Sequence, residues 1–199
     1  MLAVNSDVPV KSVAELIAYA KQNQGKLTFS SSGVGNPQQL TGELFNKLAG
    51  VQIRHVPYKG AAPQLAAVAG KEVTMTYVSI GAAKPFIESG RIRAIGVTSL
   101  VRVSALPDVP AIAEHPPLAG FELVNFFGFF GPAGLPDPIL KRLNAAAVQT
   151  MKMPELVAKF RGFGFEPAPN APEEFRSFIR NESAKFGKII VDAGVKLAE

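Results

Sequence analysis

A pattern of strand, turn and helix recurs three times within residues 27–98, and it constrains the fold more than any other feature of the sequence. Short apolar runs predict strands, and a glycine-containing turn and a helix-like stretch follow each of the first three. These predicted strands are residues 27–29, 51–56, 73–77 and 93–98. Parallel neighbours in a sheet need a crossover, which a helix supplies. The sequence therefore predicts an α/β fold with a mainly parallel sheet, flanking helices and a further short strand at residues 2–4.

Helices are predicted where apolar residues recur at helical spacing between cap residues. Ser12 and Glu15 form a capping box, Gly50 and Gly70 stand at helix ends, and Pro172 can open the last helix. The predicted helices run from residue 12 to about 25, over 38–50, 61–69, 82–89 and 137–151, and onward from 154 and 172.

The aromatic run at residues 121–130 predicts a strand, because phenylalanine has a high β-propensity. Such a strand suits a crossing between two lobes. Four of its phenylalanines stand close together, namely Phe126, Phe127, Phe129 and Phe130. Core packing is favoured over an exposed interface for these side chains.

The turn at residues 29–37 (FSSSGVGNP) has the composition of an anion-binding loop. Gly33 and Gly35 let the backbone turn sharply, and Pro37 needs no N–H partner at the start of a helix. The loop also carries Ser31, Ser32 and Asn36. We expect free amides to point outward and to hold a carboxylate or other small anion. The alternative is a serine-rich turn that only caps a helix, since the motif lacks the phosphate-loop lysine and the third dinucleotide glycine.

Two further turns are expected to lie beside this loop. Residues 57–60 and 78–81 also follow predicted strands and carry glycine with a polar group. Ligands of open α/β sheets bind outside the carboxyl ends of the strands. The three turns can therefore form one crevice, which favours an anion site over simple helix capping.

Composition and charge exclude several other classes of site. The chain has no cysteine, which excludes disulfides, thiolate zinc and a cysteine nucleophile. His55 and His115 stand far apart without carboxylates at ligand spacing, so neither a metal nor a cofactor is predicted. The net charge of +5 comes from scattered lysines and arginines, so nucleic acid is not an expected partner. Residues 1–5 lack the character of a signal peptide, and no apolar run is long enough for a membrane span.

Four motifs, in order, resemble the Bug (TctC-like) family, the solute-binding proteins of tripartite tricarboxylate transporters. They are residues 31–35 (SSGVG), 56–60 (VPYKG), 106–114 (LPDVPAIAE) and 127–136 (FGFFGPAGLP). The resemblance implies a type II periplasmic binding protein with two lobes, which is not an enzyme. It implies a small carboxylate ligand, such as a di- or tricarboxylate, an acidic amino acid or an aromatic acid. The membrane components of the transporter are the implied partner, and the periplasm is the implied location.

The resemblance also implies how the chain is divided, because family members carry an additional N-terminal stretch. Residues 1–10 would be a crossing strand, and residues 11–120 the complete ligand-binding second lobe. Residues 121–199 would be the return strand and C-terminal helices that complete the first lobe. An incomplete lobe exposes apolar surface, for which we expect a homodimer or a swapped assembly.

Eight residues are expected to bind the ligand when the family pattern is carried over by position. They are Ser31, Ser32, Gly33, Gly35, Asn36, Tyr58, Lys59 and Ser79. The alternative for Lys59 is an ordinary solvated surface lysine. The sequence departs from the family pattern at Gln39, Thr74, Val78 and Ala111, which leaves the identity of the ligand open.

Two other classes of function are alternatives to a binding protein. The effector-sensing domain of a transcription regulator shares the two-lobed design, but this chain carries no basic winged helix-turn-helix. An enzyme could use Ser31 or Ser32 as a nucleophile, but neither lies in a G-x-S-x-G elbow and no histidine is placed by sequence as a base.

Overall fold

The computed structural model describes residues 1–195, which form a five-stranded sheet with helices packed against it. The strands are β1 (Leu2–Asn5), β2 (Thr28–Ser31), β3 (Arg54–Pro57), β4 (Met75–Tyr77) and β5 (Ile92–Gly96). Their order across the sheet is β3-β2-β4-β1-β5. β2 runs parallel to β3 and β4, whereas β1 lies antiparallel between β4 and β5. The predicted α/β fold with a mainly parallel sheet is confirmed.

The helices lie where the apolar spacing predicts them. They are α1 (Val13–Gln22), α2 (Pro37–Ala49), α3 (Ala61–Ala69), α4 (Ile80–Glu88), α5 (Asp137–Met151), α6 (Pro154–Gly162) and α7 (Pro172–Ala193). Short 3₁₀ turns occur at Ile112–Glu114 and Pro116–Leu118. Ser12 caps α1 by accepting from the Glu15 amide at 3.2 Å, and Gly50 ends α2 with a φ of 62°. No helix among residues 1–195 is both long and apolar enough to cross a membrane.

The core has two layers, one on each face of the sheet. Leu2 and Val4 of β1 belong to the layer that includes apolar residues of α1 and α2. Ala3 belongs to the opposite layer, with Leu65 and Val68 of α3. Because both faces of β1 are covered, its side chains are all buried, which explains a continuous apolar run in place of an alternating one.

The prediction of a strand at residues 121–130 is wrong, because the structure has no strand there. Leu123 donates a backbone hydrogen bond to the Thr98 carbonyl at 3.0 Å. Among the described residues, no strand pairs with residues 124–130. A β-prone composition does not make a strand without a neighbouring strand to pair with.

The phenylalanines of this run also differ from the prediction of core packing. Phe127, Phe129 and Phe130 are 81%, 86% and 73% exposed. Phe126 is half-buried, with its ring centroid 4.9 Å from that of Phe178 in α7. The core prediction is therefore wrong for three of the four.

The C-terminal helices contribute little to the core. α5 and α6 have no buried residue, and α7 has two, Glu182 and Ile189. α7 contacts α2 through a small apolar cluster that joins Ile189 to Leu40, and through an ion pair of 2.6 Å between Lys47 and Asp192. The last four residues of the predicted closing segment, 196–199, lie outside the described residues.

Candidate ligand-binding site

The three predicted turns leave the same edge of the sheet, because β2, β3 and β4 are parallel, although Gly81 of the third turn lies inside α4. The turn after β3 is joined to the loop after β2 by two backbone hydrogen bonds. The amide of Tyr58 donates to the Ser31 carbonyl at 2.9 Å, and that of Gly60 donates to the Ser32 carbonyl at 3.3 Å. The turn after β4 lies next to them, since Ser30 of β2 is paired with Thr76 of β4.

Three helices begin at this edge, each directly after one of the turns. α2 begins at Pro37, α3 at Ala61 and α4 at Ile80. A helix N-terminus carries partial positive charge, so three of them at one edge create a local field that favours an anion. α4 begins two residues earlier than predicted, so the third turn is shorter and Ser79 becomes the cap residue of the helix.

Asn36 caps α2, as expected for a polar residue before Pro37. Its Oδ1 accepts from the Gln39 amide at 3.0 Å, and its Nδ2 donates to the Ser32 hydroxyl at 2.8 Å. Gly35 has a φ of 75°, a conformation that side chains rarely adopt. The loop therefore does cap the helix, in agreement with the alternative considered for it.

The expectation that the loop amides are free is also wrong, because three of them donate hydrogen bonds to other groups of the chain. Gln38 Oε1 accepts from the Ser32 amide at 2.7 Å, and Gln39 Oε1 accepts from the Gly35 amide at 2.7 Å. The Gly33 amide donates to the Ser31 hydroxyl at 3.3 Å. Glutamine side chains in the first turn of α2 reach back and satisfy donors that an anion would otherwise use.

Sequence reasoning missed the part that both glutamines play in this loop. Asn36 and Gln39 have the spacing of a capping box, which predicts that Gln39 reaches back to the Asn36 amide, whereas in the structure it takes the amide of Gly35, one residue earlier. That signal was available for Gln39. Gln38 Oε1 also lies 3.3 Å from Asn36 Nδ2, a contact that no simple motif predicts.

Ser31 lies beneath the loop and is paired with a histidine. Its hydroxyl, which is fully buried, is 2.6 Å from His55 Nε2 and donates to the Gly33 carbonyl at 2.7 Å. Since the hydroxyl has one hydrogen and the carbonyl takes it, we assign the proton of this contact to His55 Nε2. Burial lowers the pKa of His55, which favours the neutral ring.

The Ser31 and His55 pair has the residue types of a nucleophile and its base, but not their geometry. The Ser31 hydroxyl is buried away from solvent. No carboxylate among residues 1–195 forms a hydrogen bond with His55. The ring centroid of His55 lies 5.0 Å from that of Phe29 instead. The pair therefore supports the loop from below and offers no accessible nucleophile.

The remaining predicted residues lie on the neighbouring turns. Tyr58 is half-buried, and its hydroxyl donates to Glu72 at 3.4 Å. Lys59 is exposed and takes part in none of the ion pairs of the described residues. Ser79 is half-buried, and its side chain makes no capping bond to α4.

Two surface depressions of the described residues lie away from this edge. One lies beside α5, at Ile139 and Leu143, and the other lies between α2 and α7, at Lys47 and Lys185. Neither is lined by any of the eight predicted residues. Residues 1–195 also contain no group of three side chains suited to hold a metal ion.

The chain is similar to characterised and uncharacterised bacterial proteins. It is 35% identical, over 96% of its length, to the UPF0065 protein of the tcbD–tcbE intergenic region of Pseudomonas sp. strain P51. The Rhodopseudomonas palustris protein Rpa4515, solved with adipate, is 35% identical and superposes with a TM-score of 0.88 over 98% of this chain. MatC from the same species, solved with bound malate, is 25% identical over 96% of the chain, with a TM-score of 0.81. The periplasmic binding protein BugD is 28% identical over 98% of the chain, with a TM-score of 0.80.

These relatives are longer than this chain. It spans 57% of the Pseudomonas protein, 65% of Rpa4515 and of MatC, and 66% of BugD. The sequence model of the tripartite tricarboxylate transporter family receptor, TctC, matches residues 1–195. The chain belongs to this receptor family, whose fold is that of the type II periplasmic binding proteins.

Proposed function

We propose that this chain is a solute-binding protein that captures a small carboxylate at the carboxyl edge of β2, β3 and β4. The observation that carries the proposal is the convergence of three helix N-termini and three turns at that edge. Anions bind favourably at helix N-termini. The adipate and malate bound by two relatives support a carboxylate as the ligand class.

The ligand residues fall into two groups in this proposal. Ser32 and Ser79 are incompletely buried and supply side-chain donors at the edge, with Tyr58 and Lys59 at its margin. Asn36 belongs with the residues that shape the loop, because its Nδ2 is already paired. Ser31, Gly33 and Gly35 shape the loop through the contacts described above. Hydrogen bonds to a charged group each contribute about 1.5–3 kcal/mol, so a few donors at this edge suffice for measurable binding.

The proposed domain division places the whole of this edge within one lobe. Residues 11–120 contain four of the five strands and most of both core layers, and β1 from residues 1–10 completes the sheet between β4 and β5. Residues 1–10 then carry the crossing strand β1, and residues 121–199 complete another lobe only in part. In longer relatives, the remaining third of the chain is the expected source of the facing wall of the cleft.

The proposed context is delivery of the carboxylate to the membrane components of a tripartite tricarboxylate transporter, from the periplasm. Family membership and the periplasmic relative BugD support both points. Binding without turnover is the proposed activity, since the buried Ser31 and His55 pair offers no accessible nucleophile.

A thermal-shift panel tests the proposal directly. Adipate, malate, citrate, aspartate, glutamate and benzoate are each added to the purified chain, with hexylamine and glucose as controls without a carboxylate. A ligand at a hundredfold excess over its dissociation constant should stabilise by about 2.7 kcal/mol, or roughly 5–10 °C for a chain of this size.

A selective shift with one or a few carboxylates would support the binding function. No shift with this chain, together with a shift for a version extended by the N-terminal stretch of a longer relative, would mean that binding needs both lobes. Flat panels on both, or equal shifts with the controls, would contradict the proposal.

A further inference from the structure

One fully buried polar side chain joins the two central strands of the site. Gln64 lies in the first half of α3 and is 0% exposed. Its Nε2 is 2.9 Å from the Tyr77 carbonyl, 3.2 Å from the Ser30 carbonyl and 2.8 Å from Thr76 Oγ1. Carbonyl oxygens only accept hydrogen bonds, so the amide nitrogen must face the sheet and the orientation of the carboxamide is determined.

The two carbonyls lie where the strands end and the loops of the site begin. β2 and β4 are paired at Phe29 with Met75 and at Ser30 with Thr76. β4 ends at Tyr77 and β2 at Ser31, after which the chains diverge into residues 32–36 and into Val78 and Ser79. Gln64 therefore joins β2 to β4 by hydrogen bonds at the point where the backbone pairing of the two strands ends.

Stability alone does not favour a glutamine at this position. Gln64 Oε1 and Ser30 Oγ are both buried without a hydrogen-bond partner among the described residues. A buried polar atom that lacks a partner opposes folding. Gln64 therefore has an acceptor, Oε1, whose burial opposes folding, and a donor, Nε2, that bonds to the ends of both strands next to the site.

We infer that Gln64 is a positioning residue for the carboxylate site, which rests on the function proposed above. Its carboxamide holds the starts of the β2 and β4 loops at a constant separation. Donors from both loops, such as Ser32 and Ser79, can then meet one ligand without a rearrangement that would weaken binding.

The test compares substitutions of two buried carboxamide side chains. Gln64 belongs to α3, and Asn5 donates to a carbonyl of α3. Gln64→Met keeps the size of the side chain and removes its donors. Asn5→Ala is the matched control, because Asn5 is also buried, at 4% exposure, and donates to the Val68 carbonyl at 2.7 Å. Asn5 lies at the opposite edge of the sheet, where its backbone N–H donates to the Thr74 carbonyl.

Two readouts are measured on both variants. The dissociation constant of the carboxylate selected by the panel should rise about tenfold or more in Gln64→Met, the equivalent of one lost hydrogen bond, and stay within about twofold in Asn5→Ala. Amide hydrogen exchange at residues 32–36 and 78–79 should accelerate in Gln64→Met and not in Asn5→Ala.

The exchange readout needs no ligand, so it separates this inference from the proposed function. Faster exchange confined to Gln64→Met supports positioning even if no carboxylate binds. Unchanged exchange, or the same change in both variants, would overturn it. Should Gln64→Met fail to fold, Gln64→Asn takes its place, since the shorter amide keeps its polarity but cannot reach both carbonyls.

Discussion

At the scale of single residues, the loop after β2 is already occupied by the chain's own oxygens. Gln38 Oε1 takes the Ser32 amide and Gln39 Oε1 takes the Gly35 amide. A ligand carboxylate must displace such an oxygen before it can use the same donor. Gln38 is half-buried whereas Gln39 is buried, so Gln38 is the one that a ligand can displace without opening the helix.

The first residue-scale prediction follows from that competition. Gln38→Ala frees the Ser32 amide, so the carboxylate should bind about 3- to 10-fold more tightly, the effect of removing one competing hydrogen bond. Isothermal titration calorimetry measures the change. Gln39→Ala is the control, and it should bind more weakly because it releases the Gly35 turn. Equal or weaker binding by Gln38→Ala would show that the side chain helps the ligand and does not compete with it.

The residues that sequence reasoning placed correctly are those whose role is local. The loop caps α2 and Gly35 takes the positive φ expected of a sharp turn, although Gly33 does not and the cap residue is Asn36, which is among the residues expected to bind the ligand. The contact of Ser31 with His55 could not be predicted in this way, because the two are 24 positions apart and meet only when β2 pairs with β3. The same holds for Gln64, whose partners lie on two other strands.

At the scale of elements, local periodicity predicted the helices and strands well and failed where pairing decides. α3 begins and ends where its apolar spacing and Gly70 indicate. Residues 121–130 have the composition of a strand but lack a neighbour to pair with among the described residues. A helix is satisfied by its own hydrogen bonds, whereas a strand depends on another part of the chain.

The close approach of α2 to β2 gives the prediction at this scale. A Cβ atom on Gly42 would lie 2.3 Å from the ring of Phe29, which is completely buried and has no room to move. Gly42→Ala should therefore destabilise the protein by about 1–3 kcal/mol, the usual effect of overpacking, and displace the helix that begins at the site. Urea denaturation measures the free energy of unfolding.

Gly187→Ala on α7 is the matched control, because a Cβ atom there meets no atom within 4 Å. It should be neutral or stabilise by up to about 1 kcal/mol, since alanine has the higher helix propensity. If the two substitutions changed stability alike, the contact between Gly42 and Phe29 would not control how α2 is seated.

At the scale of the whole molecule, residues 121–195 expose several large apolar side chains. Phe127, Phe129 and Phe130 are mostly exposed, and so are Ile139 and Leu143 of α5. Apolar surface of this extent marks an interaction site in most soluble proteins. The longer relatives have further chain available to cover the equivalent surface, since about a third of each lies outside the match.

For the chain as given, the prediction is a homodimer or swapped assembly that covers this aromatic surface, although no comparison with a known protein supports an assembly. Light scattering over a hundredfold range of concentration should show twice the monomer mass at the upper end. The double substitution Phe129→Ser and Phe130→Ser should restore the monomer, because it removes two of the largest exposed apolar side chains. Val191→Ser, at an exposed position on α7, is the control and should leave the mass unchanged. A mass that stays monomeric at every concentration would mean that this surface is tolerated in water, and the assembly prediction would then be abandoned.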